Sequence, residues 1–159
     1  MQENPLWQYS LRVYTRPPVA ATLLALQESC DADVNVLLSC CWCGMAGRLL
    51  SDSEVASLVA ASHAWREAVT LPLRRARQFA RHEDVDATVY ESLKIAEIAA
   101  ERHQQDRLFA ILGDLKPAEL PPVTQRERVA ANLAVYTATL DDCGEAQWRA
   151  LLDLLFTEG

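Results

Sequence analysis

Four arginines in the first half of the chain could share one face of a helix. With about 3.6 residues per turn, their positions fall within about 80° of one another around the helix axis. These residues are Arg66, Arg74, Arg77 and Arg81. A guanidinium group can donate two parallel hydrogen bonds to a carboxylate or a phosphate. The row therefore predicts either a site for an anion or an acidic protein segment, or a solvated face with partial salt bridges to the acidic second half of the chain.

An acid and an amide, Asp33 and Asn35, stand at the start of a strongly apolar stretch. Asp33 suits a helix N-cap, because its carboxylate can accept hydrogen bonds from the first free backbone amides. Asn35 falls in the first turn and needs partners of its own if it faces the core. We expect a polar cluster that joins both residues to Arg66 or Arg74, with an ion pair between Asp33 and one of these arginines. The simpler alternative leaves Asp33 as a helix cap only.

Four of the five cysteines lie close together, at Cys30, Cys40, Cys41 and Cys43. The C-x-x-C spacing lies in the middle of a predicted helix, far from the helix N-terminus that would lower a thiol pKa. None of the three histidines stands at zinc-ligand spacing from these thiols. We interpret the cysteines as small buried side chains, and we predict reduced thiols, no bound metal and no cofactor.

No catalytic motif is present. The sequence contains no glycine loop that would cradle a phosphate and no local signature of a nucleophile with its base. The sequence therefore assigns no reaction, and we do not favour an enzyme.

The composition favours helices. Half of the 159 residues are hydrophobic, 23% are charged and only five are glycine. Alanine and leucine outnumber the β-branched residues, which favours helix over strand. We predict a single all-α domain over residues 1–159, with six or seven helices. There is no signal sequence and no apolar run long enough to cross a bilayer, so we predict a cytoplasmic protein with no membrane contact.

Charge is divided unevenly along the chain. Residues 1–82 carry eight arginines against seven acids, whereas residues 83–159 carry fifteen acids against seven lysines and arginines. The net charge is −7, which argues against nucleic acid as a partner. An anion site is therefore expected in the front half.

The helices that must position these residues can be read from caps, prolines and apolar spacing. Predicted helices cover about 5–15, 18–30, 34–47, 51–81, 83–112, 124–140 and 145–156. The helix over 34–47 is apolar on all sides and is predicted to be central. Capping boxes at Ser51 with Glu54 and at Thr124 with Glu127 predict two helix starts. Pro72 predicts a kink in the long helix.

Two tryptophans are predicted to be core residues. Trp42 falls in the central helix and Trp65 in the long helix, each among apolar neighbours. We expect both side chains to face inward, because large aromatic side chains contribute much of the buried apolar area of a core.

The front of the chain resembles an uncharacterised proteobacterial family of short helical proteins, a domain of unknown function. The resemblance covers about residues 6–81 and rests on D-V-N-x-L-L followed by tryptophan, then W-R, then P-L-R-x-x-R. The matching residues are Trp7 with Ser10, Tyr14, Leu26-Gln27, Asp33-Val34-Asn35, Leu37-Leu38, Trp42, Trp65-Arg66 and Pro72-Leu73-Arg74 with Arg77. The family pattern has glycine where this chain has Asp31. The resemblance implies no activity, and the acidic part over 83–159 adds no further signature.

Two functions remain open on the sequence alone. The first is an adaptor whose arginine face binds an acidic protein partner or a second copy of the chain. The second is a small enzyme or binding protein for a phosphorylated or carboxylated molecule. A concave pocket containing Arg66, Arg74 and Asp33 would favour the second, and a flat surface would favour the first.

Overall fold

All regular secondary structure in the described part of the chain is helical. The computed structural model describes residues 3–83, 86–115 and 119–157. The helices are α1 (Pro5–Tyr14), α2 (Pro17–Cys30), α3 (Val34–Met45), α4 (Asp52–Trp65), a π-helical segment (Arg66–Thr70), α5 (Leu71–Arg81), α6 (Ala87–Leu112), α7 (Pro122–Thr137) and α8 (Glu145–Leu155). Because α4, the π segment and α5 run on without a break, these ranges hold seven continuous helices. The predicted all-α fold is confirmed.

Helix α3 lies at the centre of the molecule, as its apolar sequence predicts. Every residue from Val34 to Gly44 is buried. Its most extensive packing is against α7, and it also contacts α1, α2, α4 and α6. One hydrophobic cluster surrounds it and reaches from Leu6 in α1 to Leu152 in α8. In the described ranges, no helix combines the length and the apolar character needed to cross a bilayer.

One predicted capping box is confirmed and the other is wrong. The Ser51 hydroxyl accepts from the Glu54 amide, and the Glu54 carboxylate accepts from the Ser51 amide, both at 3.1 Å. Helix α7 begins at Pro122 instead, before Thr124, without a side-chain cap. Proline fits the first helical position because the amide that it lacks would have no partner there. The predicted start of the fifth helix near 83 is also shifted: α6 begins at Ala87, and residues 84 and 85 lie outside the described ranges.

The long helix is distorted just before Pro72. The Leu71 amide bonds to the Arg66 carbonyl, five residues back, so the helix widens into a π turn. This wider turn brings Arg66, Thr70 and Arg74 to the buried side of the helix. The kink predicted from Pro72 is therefore a π segment, and it turns two of the four arginines toward the core.

The two tryptophans differ in burial. Trp42 is 9% exposed and belongs to the core cluster, as predicted. Trp65 is only half-buried, so its assignment to the core is wrong. Its ring lies 4.2 Å from the His103 ring, and its indole nitrogen donates to the Ala100 carbonyl at 3.0 Å. Trp65 thus joins α4 to α6 at the edge of the molecule.

Asp31 ends α2 in a left-handed conformation, with φ of 55°. Glycine adopts this conformation without the clash between Cβ and the carbonyl that costs other residues about 1–2 kcal/mol. Asp31→Gly will therefore be more stable than Asp31→Ala by about 1 kcal/mol, although both variants lose the same carboxylate. Urea unfolding of the two variants measures this difference. Equal stabilities would contradict a backbone cost at this position.

Candidate functional site

Asp33 lies in a buried polar cluster, but its partners are neutral. Its carboxylate caps α3 through the Asn35 amide at 2.9 Å. It also accepts from the Ser62 hydroxyl at 2.5 Å and from the Gln104 amide nitrogen at 2.9 and 3.1 Å. No ion pair among the described residues includes Asp33. The predicted ion pair with Arg66 or Arg74 is therefore wrong.

Asn35 anchors a second chain of buried hydrogen bonds. Its side-chain oxygen accepts from Gln105 at 2.9 Å, and the Gln105 oxygen accepts from the Ser10 hydroxyl at 3.1 Å. Gln105 and its neighbour Gln104 are each no more than 1% exposed. Asp33 and Asn35 thus connect α3 to α6 through adjacent glutamines, and Asn35 also connects it to α1.

Arg66 is buried and contacts the turn that precedes α3. Its guanidinium donates to the Asp31 carboxylate at 3.2 Å and to the Ala32 carbonyl at 3.4 Å. It holds the left-handed turn from which Asp33 follows. Arg66 therefore donates to Asp31 and Ala32, and not to Asp33, its predicted partner.

Arg74 and Arg77 share a buried acid from α6. Arg74 donates to Glu97 at 2.9 Å and to Glu101 at 2.6 Å, and Arg77 bonds to both Glu97 oxygens. Glu97 is only 6% exposed. Its hydrogen bonds are the main cause of the raised pKa of Arg77. Arg74 and Arg77, which were predicted to be surface cations, are thus paired with acids of the protein itself.

Four of the predicted site residues line one small cavity. They are Asp33, Asn35, Arg66 and Arg74, together with Gln104 and Thr70. The cavity volume is about 10 Å³, which is close to the space needed by one water molecule. The cluster predicted from the sequence does converge, but it leaves no room for a phosphorylated or carboxylated metabolite.

Arg74 and Arg77 also line a groove on the protein surface. We call it the arginine groove; it lies where α1, α2, α5 and α6 meet and has a volume of about 210 Å³. Its lining residues are Tyr14, Leu24, Arg74, Arg77, Lys94, Glu97, Ile98 and Glu101. Burial is the main cause that raises the pKa of Tyr14 to about 12. Arg81, the last of the predicted arginines, is exposed on α5 and does not line the groove.

The salt bridges expected between the arginines and the acidic second half of the chain are made by α6, although its individual residues were not predicted. This helix supplies Glu97, Glu101, Gln104 and Gln105, which bind the arginines, Asp33 and Asn35. The spacing of i, i+4, i+7 and i+8 places all four on one helix face. This spacing can be read from the sequence. It was not recognised because the excess of acidic residues over 83–159 is also typical of a solvated surface.

Glu101 will make stability fall as pH rises through a defined window. Burial is the main cause that raises its pKa above the ordinary value of 4.5, and Arg74 only partly opposes this effect. The folded state then binds more protons than the unfolded state above the ordinary pKa, so the free energy of unfolding declines until the folded-state pKa is passed. Glu101→Gln removes this decline.

Urea unfolding between pH 4 and pH 7 measures the effect of Glu101. The difference in free energy between Glu101→Gln and wild type will increase with pH across that window. Glu91→Gln, an exposed change on the same helix, is the matched control and will follow wild type. A pH-independent difference for Glu101→Gln would contradict the raised pKa.

The cysteines are free thiols, and four of them are buried. Burial raises the pKa of Cys41 and of Cys43 to about 12. In the ranges that the structure describes, no group of three or more histidine, cysteine or acidic side chains is placed to hold a metal ion. The four buried cysteines therefore act as small side chains that pack between helices.

The buried thiols will react slowly in the native protein. Burial excludes the reagent from these thiols. A pKa near 12, which Cys41, Cys43 and Cys143 share, also leaves very little of the reactive thiolate at pH 8. Titration with an aromatic disulfide reagent will detect at most the half-buried Cys143 before unfolding and all five cysteines after it. The Cys143→Ser variant will lose the native reaction. Rapid reaction of two or more native thiols would contradict this account.

Comparison with known proteins yields one match. The sequence profile of a protein family described as "Protein of unknown function (DUF2390)" matches residues 5–108. No curated protein and no solved structure matched this chain. The match runs from α1 into α6, and so includes the residues of α6 that complete the polar cluster.

Proposed function

This chain belongs to the DUF2390 family of proteins of unknown function, and we propose that it is a protein-binding adaptor. The proposal is based on the surface of the chain itself. Its partner presents an acidic, amphipathic helix, and the arginine groove binds that helix. As part of this proposal the protein acts in the bacterial cytoplasm, a setting with which its free thiols are consistent.

The observation that carries the proposal is the combination of exposed apolar and cationic side chains in one groove. Tyr14, Leu24 and Ile98 come from three different helices and are 38%, 43% and 45% exposed. Apolar side chains that converge in this way are typical of surfaces that bind a partner helix. Isolated exposed apolar residues elsewhere on the molecule need no such explanation.

The charge of the groove favours an acidic partner. Glu97 and Glu101 are neutralised by Arg74 and Arg77. Lys94 is exposed and takes part in no ion pair within the described ranges. The remaining charge is positive, so an acid on the partner would gain a favourable contact beside the apolar side chains.

The size of the groove favours a protein segment over a small molecule. Its volume of about 210 Å³ is below the range of about 300–1,000 Å³ typical of small-molecule pockets. The alternative of a phosphorylated or carboxylated ligand held between Arg66 and Arg74 is less well supported, because that cavity measures only about 10 Å³.

Affinity capture from the source cells with matched variants tests the proposal. Ile98→Ser changes the groove, whereas Ile95→Ser changes an equally apolar residue on α6 that is 67% exposed and lies outside it. A partner captured by wild type and by Ile95→Ser will be lost with Ile98→Ser. If the same proteins are captured by both variants, the groove is not the binding site.

The captured partner also decides between the two kinds of protein complex. A different protein with an acidic helix is the result that we expect. Recovery of a second copy of this chain alone, lost again with Ile98→Ser, would assign self-association to the groove in place of an adaptor role.

A further inference from the structure

A second and larger cavity lies between the N-terminal helix and the central helix. It is bordered by α1, by the C-terminal end of α3 and by the end of α8, and its volume is about 560 Å³. This value is within the range of about 300–1,000 Å³ found for small-molecule sites. None of its lining residues belongs to the arginine groove.

One wall of this cavity is apolar. Trp42 and Met45 contribute from α3, Val13 from α1 and Leu155 from α8. Trp42 is otherwise buried, with its ring 5.9 Å from the Phe109 ring. A bound molecule with an apolar body would remove this wall from water, at about 25 cal/mol per Å² of apolar surface buried.

Tyr9 supplies an unused hydrogen-bonding group beside this wall. The residue is only 8% exposed, and its hydroxyl makes no side-chain hydrogen bond with the described residues. No fully enclosed side-chain polar atom in those ranges lacks a partner, so the hydroxyl must be reached from open space. The cavity is the open space that Tyr9 lines. Burial raises the pKa of Tyr9, so the hydroxyl stays protonated and can donate.

Two cations, Arg12 and Arg16, line the same cavity as Tyr9. The guanidinium carbon of Arg12 lies 6.0 Å from the Tyr9 ring centroid, and Arg12 forms no ion pair within 3–83, 86–115 or 119–157. Arg16 also lines the cavity, and one of its nitrogens donates to the Leu154 carbonyl. The Arg12 guanidinium and the Tyr9 hydroxyl can both donate to one carboxylate, and Arg16 adds a second positive charge to the cavity.

We propose that this cavity binds an amphipathic carboxylic acid. The carboxylate accepts hydrogen bonds from the Tyr9 hydroxyl and the Arg12 guanidinium, and the apolar body lies against Trp42, Met45 and Val13. This site is separate from the arginine groove, so the two proposals succeed or fail independently.

Calorimetric titration with decanoate tests the site. Wild type will bind decanoate, and it will bind the neutral analogue decan-1-ol at least about 10-fold more weakly. Tyr9→Phe removes only the hydroxyl, and Arg12→Gln removes only the charge; each will weaken decanoate binding about 10-fold. The matched control is Arg75→Gln, an exposed change on α5, and it will bind as wild type does.

Neither Tyr9→Phe nor Arg12→Gln is expected to destabilise the fold, so a loss of decanoate binding would not result from unfolding. The Tyr9 hydroxyl has no side-chain partner to lose and Arg12 is exposed, so neither change will lower the unfolding midpoint by more than the control. Absence of decanoate binding to wild type would overturn the proposal. Equal binding of decanoate by all three variants, or equal binding of decanoate and decan-1-ol, would overturn it as well.

Discussion

Gly44→Ala will lower the free energy of unfolding by about 3 kcal/mol or more. A Cβ at this position would lie 2.5 Å from the Val129 amide nitrogen and 2.6 Å from the Val129 Cα. Both atoms belong to the backbone of α7, so no side-chain rotation can relieve the clash. The two most extensively packed helices would have to move apart. Since a domain of this kind is stable by about 5–15 kcal/mol, the loss is a large part of the total.

Urea unfolding measures the effect of Gly44→Ala, with Gly144→Ala as the matched control. At Gly144 the nearest atom to a new Cβ is the Gln147 side-chain oxygen at 3.8 Å, an ordinary contact. Gly144 is a helix N-cap, so its change to alanine will cost at most about 1 kcal/mol. Similar losses for the two variants would mean that α3 and α7 do not approach as closely as described.

Gln104→Met will lower the free energy of unfolding by about 3 kcal/mol. Gln104 is fully buried; its nitrogen donates to Asp33 and Ser62, and its oxygen accepts from Thr70 at 3.0 Å. Methionine fills a similar volume but leaves the buried carboxylate and the Thr70 hydroxyl without these partners. Loss of a partner to a buried charge costs more than loss of a neutral hydrogen bond.

A double variant separates the Asp33 charge from the packing at Gln104. Asp33→Asn removes the charge whose desolvation Gln104 offsets, so the two changes together will cost less than the sum of their separate losses. The exposed Gln78→Met is the control for the substitution itself and will be nearly neutral. Strict additivity of the two losses would show that Gln104 and Asp33 do not interact.

Local signals in the sequence predicted most of the fold. The apolar run after Asp33 predicted the buried central helix, and Ser51 with Glu54 predicted the start of α4. These features depend on residues three or four apart, which a sequence displays directly. The π segment depends on tertiary packing as well as on Pro72, so only its approximate position was predictable.

The partners of the polar residues were less predictable. Asp33 was expected to bind an arginine because unlike charges attract, but in the structure it lies beside Gln104, which is 71 residues away in the chain. A buried charge can be satisfied by neutral donors when the fold places several of them around it. Which donors do so depends on how α3 and α6 pack, and this information is not local.

The most direct test of the account is the affinity of the captured partner for variants of the arginine groove. Lys94→Glu reverses a charge inside the groove, and Arg75→Glu makes the same reversal at an exposed arginine outside it. We expect Lys94→Glu to raise the dissociation constant about 10-fold or more, since a partner acid then meets a like charge, and Arg75→Glu to change it less than about twofold. Equal dissociation constants for the two variants would contradict binding of an acidic partner in the arginine groove.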